Sequence, residues 1–333
     1  MTESSHAASP ARPVRAFLYD ADGRDREVRL EPGLVATLTP QQLLWVDASG
    51  PGGSVEELAE ALGLPDGARA QVAGQKGPPR LTKCGEFLHV TLSALHARSD
   101  DRWRPVRTSV LWDRRLVLTI HQGEVDAFED FTAHIRGESR LGELSADLFV
   151  SALLDWHLAT YFRAIESLEV LIDRFDERVL TRQPSSQLID ELIGMRRRVS
   201  RLRRLLLPQR EVFHGLTRPD VGQEVGRDAD RHFHGVAQRF EQAREALEHT
   251  ADLVQGSFAL HASRAADATN AFLKALTFAT FLLGAMGVIA GLLGMNFQAR
   301  IFEAGELAFW SVIVGLLVLA TTAVFVAKRR GWI

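Results

Sequence analysis

The chain has 333 residues, 46% of them hydrophobic, with a mean hydropathy of -0.04 and a formal net charge of -3. That length is enough for two units of ordinary domain size, and the charge balance gives no global pull towards nucleic acid. The single cysteine, Cys84, excludes an internal disulfide and any Cys-rich zinc site, and its apolar neighbours mark it as a half-buried strand thiol.

The opening segment MTESSHAASPARP is polar, lacks the apolar core of a secretory signal, and is expected to stay in the cytoplasm. Short alternating or apolar runs typical of strands follow: RAFLYDA (15–21), LLWVDAS (43–49), FLHVTLSAL (87–95) and TSVLWDRRLVLTIHQ (108–122). Between them, SVEELAEALGL (54–64) places Ser54 three residues before Glu57, a capping box that opens an amphipathic helix. Gly- and Pro-rich breaks at 50–53 and 74–79 fit loops. The order of strands in the sheet does not follow from these patterns.

After about Leu141 the character changes to long helix. Leu154, Leu158, Tyr161, Ile165, Leu168, Ile172, Phe175 and Val179 alternate spacings of four and three, and Leu188, Leu192, Met195, Val199, Leu202 and Leu206 repeat the pattern after a Gln-Pro-Ser-Ser turn. Such a sustained 3.5-residue period is the signature of coiled-coil-like packing. A third helix, starting near Phe233, carries a weaker stripe of Phe240, Ala243, Leu247 and Val254 and runs without proline into the apolar region.

Within this region, Arg196, Arg197, Arg198, Arg201, Arg203 and Arg204 form a basic run threaded by Val199 and Leu202, which reads as a solvated helix face. His232 and His234 are two apart on a helix, a spacing that splays their rings, so metal binding is not expected of them. A Gly-rich phosphate loop, a Ser-His-Asp grouping and an HExxH motif are all missing, so the chain does not read as an enzyme.

Two uncharged runs of twenty-one residues close the chain, ALTFATFLLGAMGVIAGLLGM (275–295) and LAFWSVIVGLLVLATTAVFVA (307–327). Each is long enough to cross a bilayer as a helix, for which about 20 residues suffice. Arg264 and Lys274 precede the first, Lys328, Arg329 and Arg330 follow the second, and the loop at 296–306 holds Arg300, Glu303 and Glu306. The positive-inside bias then puts both chain ends in the cytoplasm and the loop outside, with Phe309, Trp310 and Trp332 at the interfaces.

The first span carries a stripe of small or polar residues, Asn270, Leu273, Thr277, Thr280, Gly284, Gly287, Gly291 and Gly294, at spacings of three and four. Close helix–helix packing of the small-xxx-small type accounts for Gly287 and Gly291. A pore wall accounts for the whole row, and Asn270 and Asn296 at its ends favour this reading, because polar groups facing lipid are costly. One helix cannot enclose a pore, so the second reading requires a homo-oligomer.

The segment TNAFLKALTFATFLLGAMGVIAGLLGMNF resembles the first transmembrane helix of CorA-type divalent metal ion transporters, with Gly294, Met295 and Asn296 standing as their Gly-Met-Asn signature. More loosely, LLWVDAS, PPRLTKCGEFLHV and RRLVLTIHQ resemble the family's cytoplasmic α/β domain, and YFRAIESLEVLIDRFDERVL and RRRVSRLRRLLLPQREVF its stalk helices.

The resemblance implies an α+β cytoplasmic domain, long coiled-coil-like stalk helices and two C-terminal transmembrane helices, assembled as a homopentameric funnel in the cell membrane. The corresponding boundaries are 1–140 for the α/β domain, 141–270 for the stalk, 271–295 and 307–327 for the spans, 296–306 for the external loop and 328–333 for the basic tail. It further implies passage of magnesium, or cobalt or nickel, with the outer ring at Gly294, Met295 and Asn296 meeting the hydrated ion. Asn270, Leu273, Thr277, Thr280, Gly284, Gly287 and Gly291 would line the pore, and Glu303 and Glu306 would attract cations to its mouth. The expected partners are other copies of the chain, the bilayer and divalent cations as cargo, without nucleic acid and without a resident cofactor or direct protein ligand.

The pattern also departs from that family. QARIFEAGE replaces the Met-Pro-Glu segment that usually follows the signature, so Glu303 has no family counterpart, and the mid-span proline is absent at Ala285. ZntB-type zinc transporters share the architecture, and a zinc transporter, with or without proton coupling, is the alternative expectation. Asp173, Asp176 and Glu177, or Asp100 and Asp101, are candidates for the family's regulatory acids but read as surface charge.

Overall fold

A computed structural model describes residues 14–21, 25–50, 55–74, 77–97, 103–135, 145–181, 186–294 and 305–330. The chain divides into two units, one of Met1–Ile172 with Ile193–Val254 and the other of Asp173–Leu192 with Gln255–Ile333.

The first unit is built on a seven-stranded sheet: β1 (Val14–Asp20), β2 (Arg26–Val28), β3 (Gln42–Ser49), β4 (Arg80–Cys84), β5 (Phe87–Ala97), β6 (Trp103–Trp112) and β7 (Leu116–His121). Their order is β2-β1-β3-β7-β6-β5-β4, and the β3–β7 pair is parallel while every other pair is antiparallel. Parallel strands are normally covered on both faces and read as unbroken apolar runs. Accordingly, LVLTIH of β7 is buried at every position.

One face of the sheet presents Leu44, Val46, Ala48, Leu111, Leu118 and Ile120 to α1 (Val55–Ala61) and α2 (Asp66–Ala73), whose Val55, Leu58, Ala59, Ala68 and Val72 complete that core. The opposite face centres on Trp45. Its ring lies 5.3 Å from Phe17, 6.3 Å from Phe128 and 5.8 Å from Phe131 of α3 (Asp126–Ile135), and 5.4 Å from Phe149 of α4 (Ala146–Thr181). Burying aromatic rings of this size is worth several kcal/mol each, since truncating a core Phe or Trp typically costs about 3–5 kcal/mol.

The remaining helices are α5 (Ser186–Leu206), α6 (Arg210–Gly215), α7 (Pro219–Gly222), α8 (Arg227–Leu293) and α9 (Gly305–Arg329). Every heptad position expected on α4, α5 and α8, from Leu154 to Val254, is buried. The third long helix begins at Arg227 rather than near Phe233. The run 108–122 divides into β6 and β7, because Asp113 Oδ1 accepts from the N–H of Arg115 (3.0 Å) and of Leu116 (2.9 Å) and turns the chain there. Ser54 of the expected capping box lies outside the described residues. Cys84 is half-buried at the end of β4, where burial pushes its thiol pKa up, as befits an inert strand cysteine.

Most buried polar side chains described in this unit are paired, His89 Nδ1 being an exception. Tyr161 donates to the Ser93 carbonyl at 2.6 Å, Gln209 Nε2 donates to Tyr161 Oη at 2.9 Å, and His157 Nε2 meets Gln209 Oε1 at 2.9 Å. On the Trp45 face, Trp45 Nε1 donates to Thr119 Oγ1 at 3.1 Å, Thr119 donates to Asp47, and Asp47 Oδ1 lies 3.2 Å from His121 Nε2. Burial opposes charge on His121, but the Asp47 carboxylate and the Gly123 carbonyl outweigh it and raise its pKa. Burial instead lowers His89 and His157 to about 4.

Tyr161→Phe removes the hydroxyl that donates to the Ser93 carbonyl and accepts from Gln209, whose Nε2 keeps the Leu205 carbonyl at 2.9 Å, so a loss of roughly 0.5–1.5 kcal/mol is expected in urea unfolding of the full chain. Acid acts through the two neutral histidines. Their pKa falls from 6.5 in the unfolded chain to about 4 when folded, so stability drops as pH falls through that interval. The expected loss is about 1.4 kcal/mol per pH unit for each ring. His121 acts oppositely, stabilising fully below 6.5 and less as pH rises through its raised folded value. Thermal unfolding between pH 6.5 and 4.5 should show the decline, with a shallower slope in His89→Asn, which cannot titrate.

Candidate functional site: a small and polar stripe on an apolar helix

Two helices carry apolar stretches long enough to cross a bilayer, within α8 and α9, with mean hydropathies of 2.0 and 2.3 in their richest windows. Their outer surfaces are unlike those of a water-soluble protein. Phe272, Phe281, Leu283, Val288 and Leu292 on α8, and Trp310, Leu317, Val318 and Phe325 on α9, are all more than half exposed. A contiguous apolar surface of this kind belongs against lipid or another chain.

Each helix also has one shielded side. On α8 the half-buried residues are Ala275, Phe278, Leu282, Ala285 and Met286, and on α9 they are Val312, Ile313, Leu316, Ala320 and Ala323, with Ala327 buried. Asn270, Leu273, Thr277, Thr280, Gly284, Gly287, Gly291 and Gly294 are all exposed. At 100° per residue, the mean direction of this stripe lies about 170° from the shielded side of α8. The row therefore occupies the uncovered side of the helix.

The glycines make the point sharper. A Cβ built at Gly284, Gly287 or Gly291 would meet nothing within 4 Å, whereas one at Gly215 would come within 3.0 Å of Leu81. Packing inside the chain thus explains the glycine at 215 but not those in the stripe. Each glycine weakens a helix by about 1 kcal/mol relative to alanine, so three of them on an open face call for something outside the single chain. Thr280 returns its hydroxyl to the Leu276 carbonyl at 2.9 Å, which satisfies its donor within the helix.

Gly294 follows the last helical residue, Leu293, and donates to the Ala290 carbonyl at 2.9 Å. A helix C-terminus leaves its last carbonyls without intrahelical partners and carries roughly half a negative charge. The stripe therefore ends at a feature that attracts cations. Met295, Asn296, Arg300 and Glu303 lie outside the described residues, as do Asp100 and Asp101 and the side chain of Phe309, while Glu306 is exposed in the first turn of α9.

Elsewhere, His232 is exposed, and the exposed His234 Nδ1 meets the Asp230 carbonyl at 2.9 Å. Among the described residues no group of three or more His, Cys, Asp or Glu is placed to hold a metal ion. Of the acids in the second unit, Asp173 and Glu177 are exposed, but Asp176 has a shielded Oδ1 without a hydrogen-bond partner, as does Nε2 of the buried His261. Hydropathy and spacing carried no signal for either group.

An α/β unit, a set of long helices and two membrane-length apolar helices define an integral membrane protein rather than a soluble enzyme. Residues 40–329 match the family described as CorA-like Mg2+ transporter protein, and the chain belongs to that family. Its members are divalent cation transporters, and so is this chain.

The cobalt/magnesium transport protein CorA of Thermotoga maritima is 25% identical over 228 residues, 68% of this chain and 64% of that protein. The zinc transport protein ZntB of Yersinia enterocolitica is 22% identical over 95% of both chains. The solved structure of the CorA magnesium transporter from Methanocaldococcus jannaschii covers 98% of this chain and 100% of its own, with a TM-score of 0.71 and 18% identity, a likeness of fold.

Because nothing in the chain crowds the stripe, Gly287→Leu should fold with unchanged helical content in detergent, and Gly287→Ala should stabilise the helix by up to about 1 kcal/mol. Far-UV circular dichroism with thermal unfolding checks both, and a loss of helicity in either variant would mean that α8 is crowded at this position within the chain.

Proposed function

We propose that the chain is a magnesium-type channel that works as a homo-oligomer, a pentamer with the funnel shape implied by the resemblance. The single observation that carries this reading is the uncovered stripe from Asn270 to Gly294, on the side of α8 opposite its shielded face. Copies arranged around an axis would turn these rows towards one another. Small residues then leave a bore, and glycines let water and ions approach backbone carbonyls. Both chain termini lie in the cytoplasm on this reading, with the loop at 296–306 outside.

Magnesium gives up its waters reluctantly and usually keeps several when bound by proteins. A ring made from Gly294, Met295 and Asn296 of each copy would offer amide and carbonyl oxygens to those waters. Neutral oxygens hold a hydrated dication loosely enough for it to leave, whereas a ring of carboxylates in contact would tend to trap it. Glu303 and Glu306 would raise the local cation concentration at the mouth, over a range that salt limits to about 8 Å. The ion is cargo, and no resident cofactor is needed.

Zinc is the second reading, favoured by the likeness to the Yersinia zinc transport protein along 95% of both chains. Uptake in proteoliposomes separates the two. Magnesium flux through the wild type is expected to exceed zinc flux and to fall at least tenfold in Asn296→Ala. Unchanged magnesium flux in that variant would remove Asn296 from the proposed ring. Zinc uptake that follows an imposed pH gradient, with negligible magnesium uptake, would put the zinc reading first.

A further inference from the structure

The first unit carries two rows of charge on its long helices. On α5, Arg197, Arg201 and Arg204 follow one another at four and three residues, all exposed, with Arg196 and Arg203 exposed beside them. The row lies about 170° from the buried residues of α5, Leu192, Met195, Val199, Leu202 and Leu206. Among the described residues none of these five arginines has an acidic partner. Like charges three and four apart oppose the helix that bears them by a few tenths of a kcal/mol per pair. The row thus calls for a partner outside the chain.

On α8, Glu241, Glu245, Glu248 and Asp252 form the opposite kind of row at the same spacings. Arg244 lies among them, with Nε 2.6 Å from Glu241 and Nη1 2.8 Å from Glu248, and 3.7 Å separates it from Glu245. One arginine cannot neutralise four carboxylates. Glu245 remains 69% exposed and Glu248 48% exposed, and Asp252 is exposed as well. His214 and Arg210 approach only Glu241.

The two rows stand level with each other. Parallel α4 and α8 set Asp155 beside Arg239 and Glu169 beside Thr250, separations of 84 and 81 in sequence. Antiparallel α5 leads into Gln209, three residues past its end, which lies level with His157. With equal rise per residue, Arg204, Arg201 and Arg197 come level with about residues 245, 248 and 252 of α8. Those positions are Glu245, Glu248 and Asp252.

We propose that the arginine row of α5 docks on the acidic row of α8 in the adjacent copy of the chain. This inference rests on the homo-oligomeric reading above. A rotation axis along these helices keeps height constant, so a row on one copy meets a level row on the next. Two different surfaces are used, which is the head-to-tail geometry that closes a ring. The contact pairs three arginines with three carboxylates, and it favours assembly in one register, because a shift of one turn would leave charges unpaired.

The lone cysteine makes the test clean. In a Cys84→Ser background, the full chain carrying both Arg201→Cys and Glu248→Cys is purified in detergent and treated with a short bis-maleimide. A ladder of covalent dimers and higher species up to the ring is expected, and at least tenfold less product from either single variant. As a second measurement, Arg197→Glu/Arg201→Glu/Arg204→Glu should raise at least tenfold the protein concentration at which the oligomer forms. Adding Glu245→Arg/Glu248→Arg/Asp252→Arg should reverse that change. An intact oligomer by light scattering with no ladder, or reversal without rescue, overturns this interface and leaves the homo-oligomer standing. A monomeric wild type overturns both.

Discussion

A backbone in hydrocarbon has no water to bond, so every N–H and C=O there must find its partner within the protein. The second unit depends on that constraint. No proline interrupts α8 from Arg227 to Leu293, and two of its threonines turn inward: Thr269 bonds the Ala265 carbonyl and Thr280 the Leu276 carbonyl. On α9, Thr321 does the same with Leu317. Within the stripe, the Thr280 hydroxyl is therefore satisfied by the helix itself. What the stripe leaves accessible is backbone oxygen at glycine, the Thr277 hydroxyl and, at Asn270, an amide placed at one end of the apolar stretch. The same rule that makes the helix regular makes its glycines informative, since a regular helix gains nothing from three of them on an uncrowded face.

The first unit solves a different problem, that of anchoring long helices to a sheet. Trp45 sits on the central parallel strand and touches aromatic rings of β1, α3 and α4, so one side chain ties the sheet to two helices. The Tyr161–Gln209–His157 network ties α4 to β5 and to the segment after α5. Buried polar networks of this kind fix one arrangement among several that apolar packing alone would accept. Fixing the segment after α5 against α4 also helps fix which face of α5 points outward, and the arginine row depends on that.

The helical parts were legible because their information is local. A 3.5-residue period over many turns identifies the buried face residue by residue, and every heptad position named from the spacing is buried. The sheet was less legible. Its central pair joins residues 42–49 to 116–121, and nothing local in either run specifies that partner or its parallel direction. The stripe from Asn270 to Gly294 was visible as a spacing, yet small residues suit tight packing and an open wall equally well. Only the empty space around Gly284, Gly287 and Gly291 separates packing within the chain from an open surface. The polar network was invisible for a related reason: Gln209 follows a proline in a basic, apolar stretch and has no motif around it.

The glycines at 284 and 287 and the missing proline at Ala285 bear on how a stripe of this kind would work as a pore wall. From Gly284 to Gly294 the row is bare, while its other end carries the isobutyl group of Leu273 beside Asn270. Around a shared axis, bare helices leave the wider bore and bulky ones the narrower. Narrowing would then fall at the Asn270–Leu273 end, and the glycine end would stay wide enough for an ion with its waters. A dication crossing the bare end would meet backbone dipoles and the negative pole at the C-terminus of α8 rather than ionised side chains. Such a wall interacts with the ion through water, which suits an ion that holds its hydration shell tightly. On the proposed reading, the glycines and the amide ends are two parts of one device, the first making room for the hydration shell and the second recognising it.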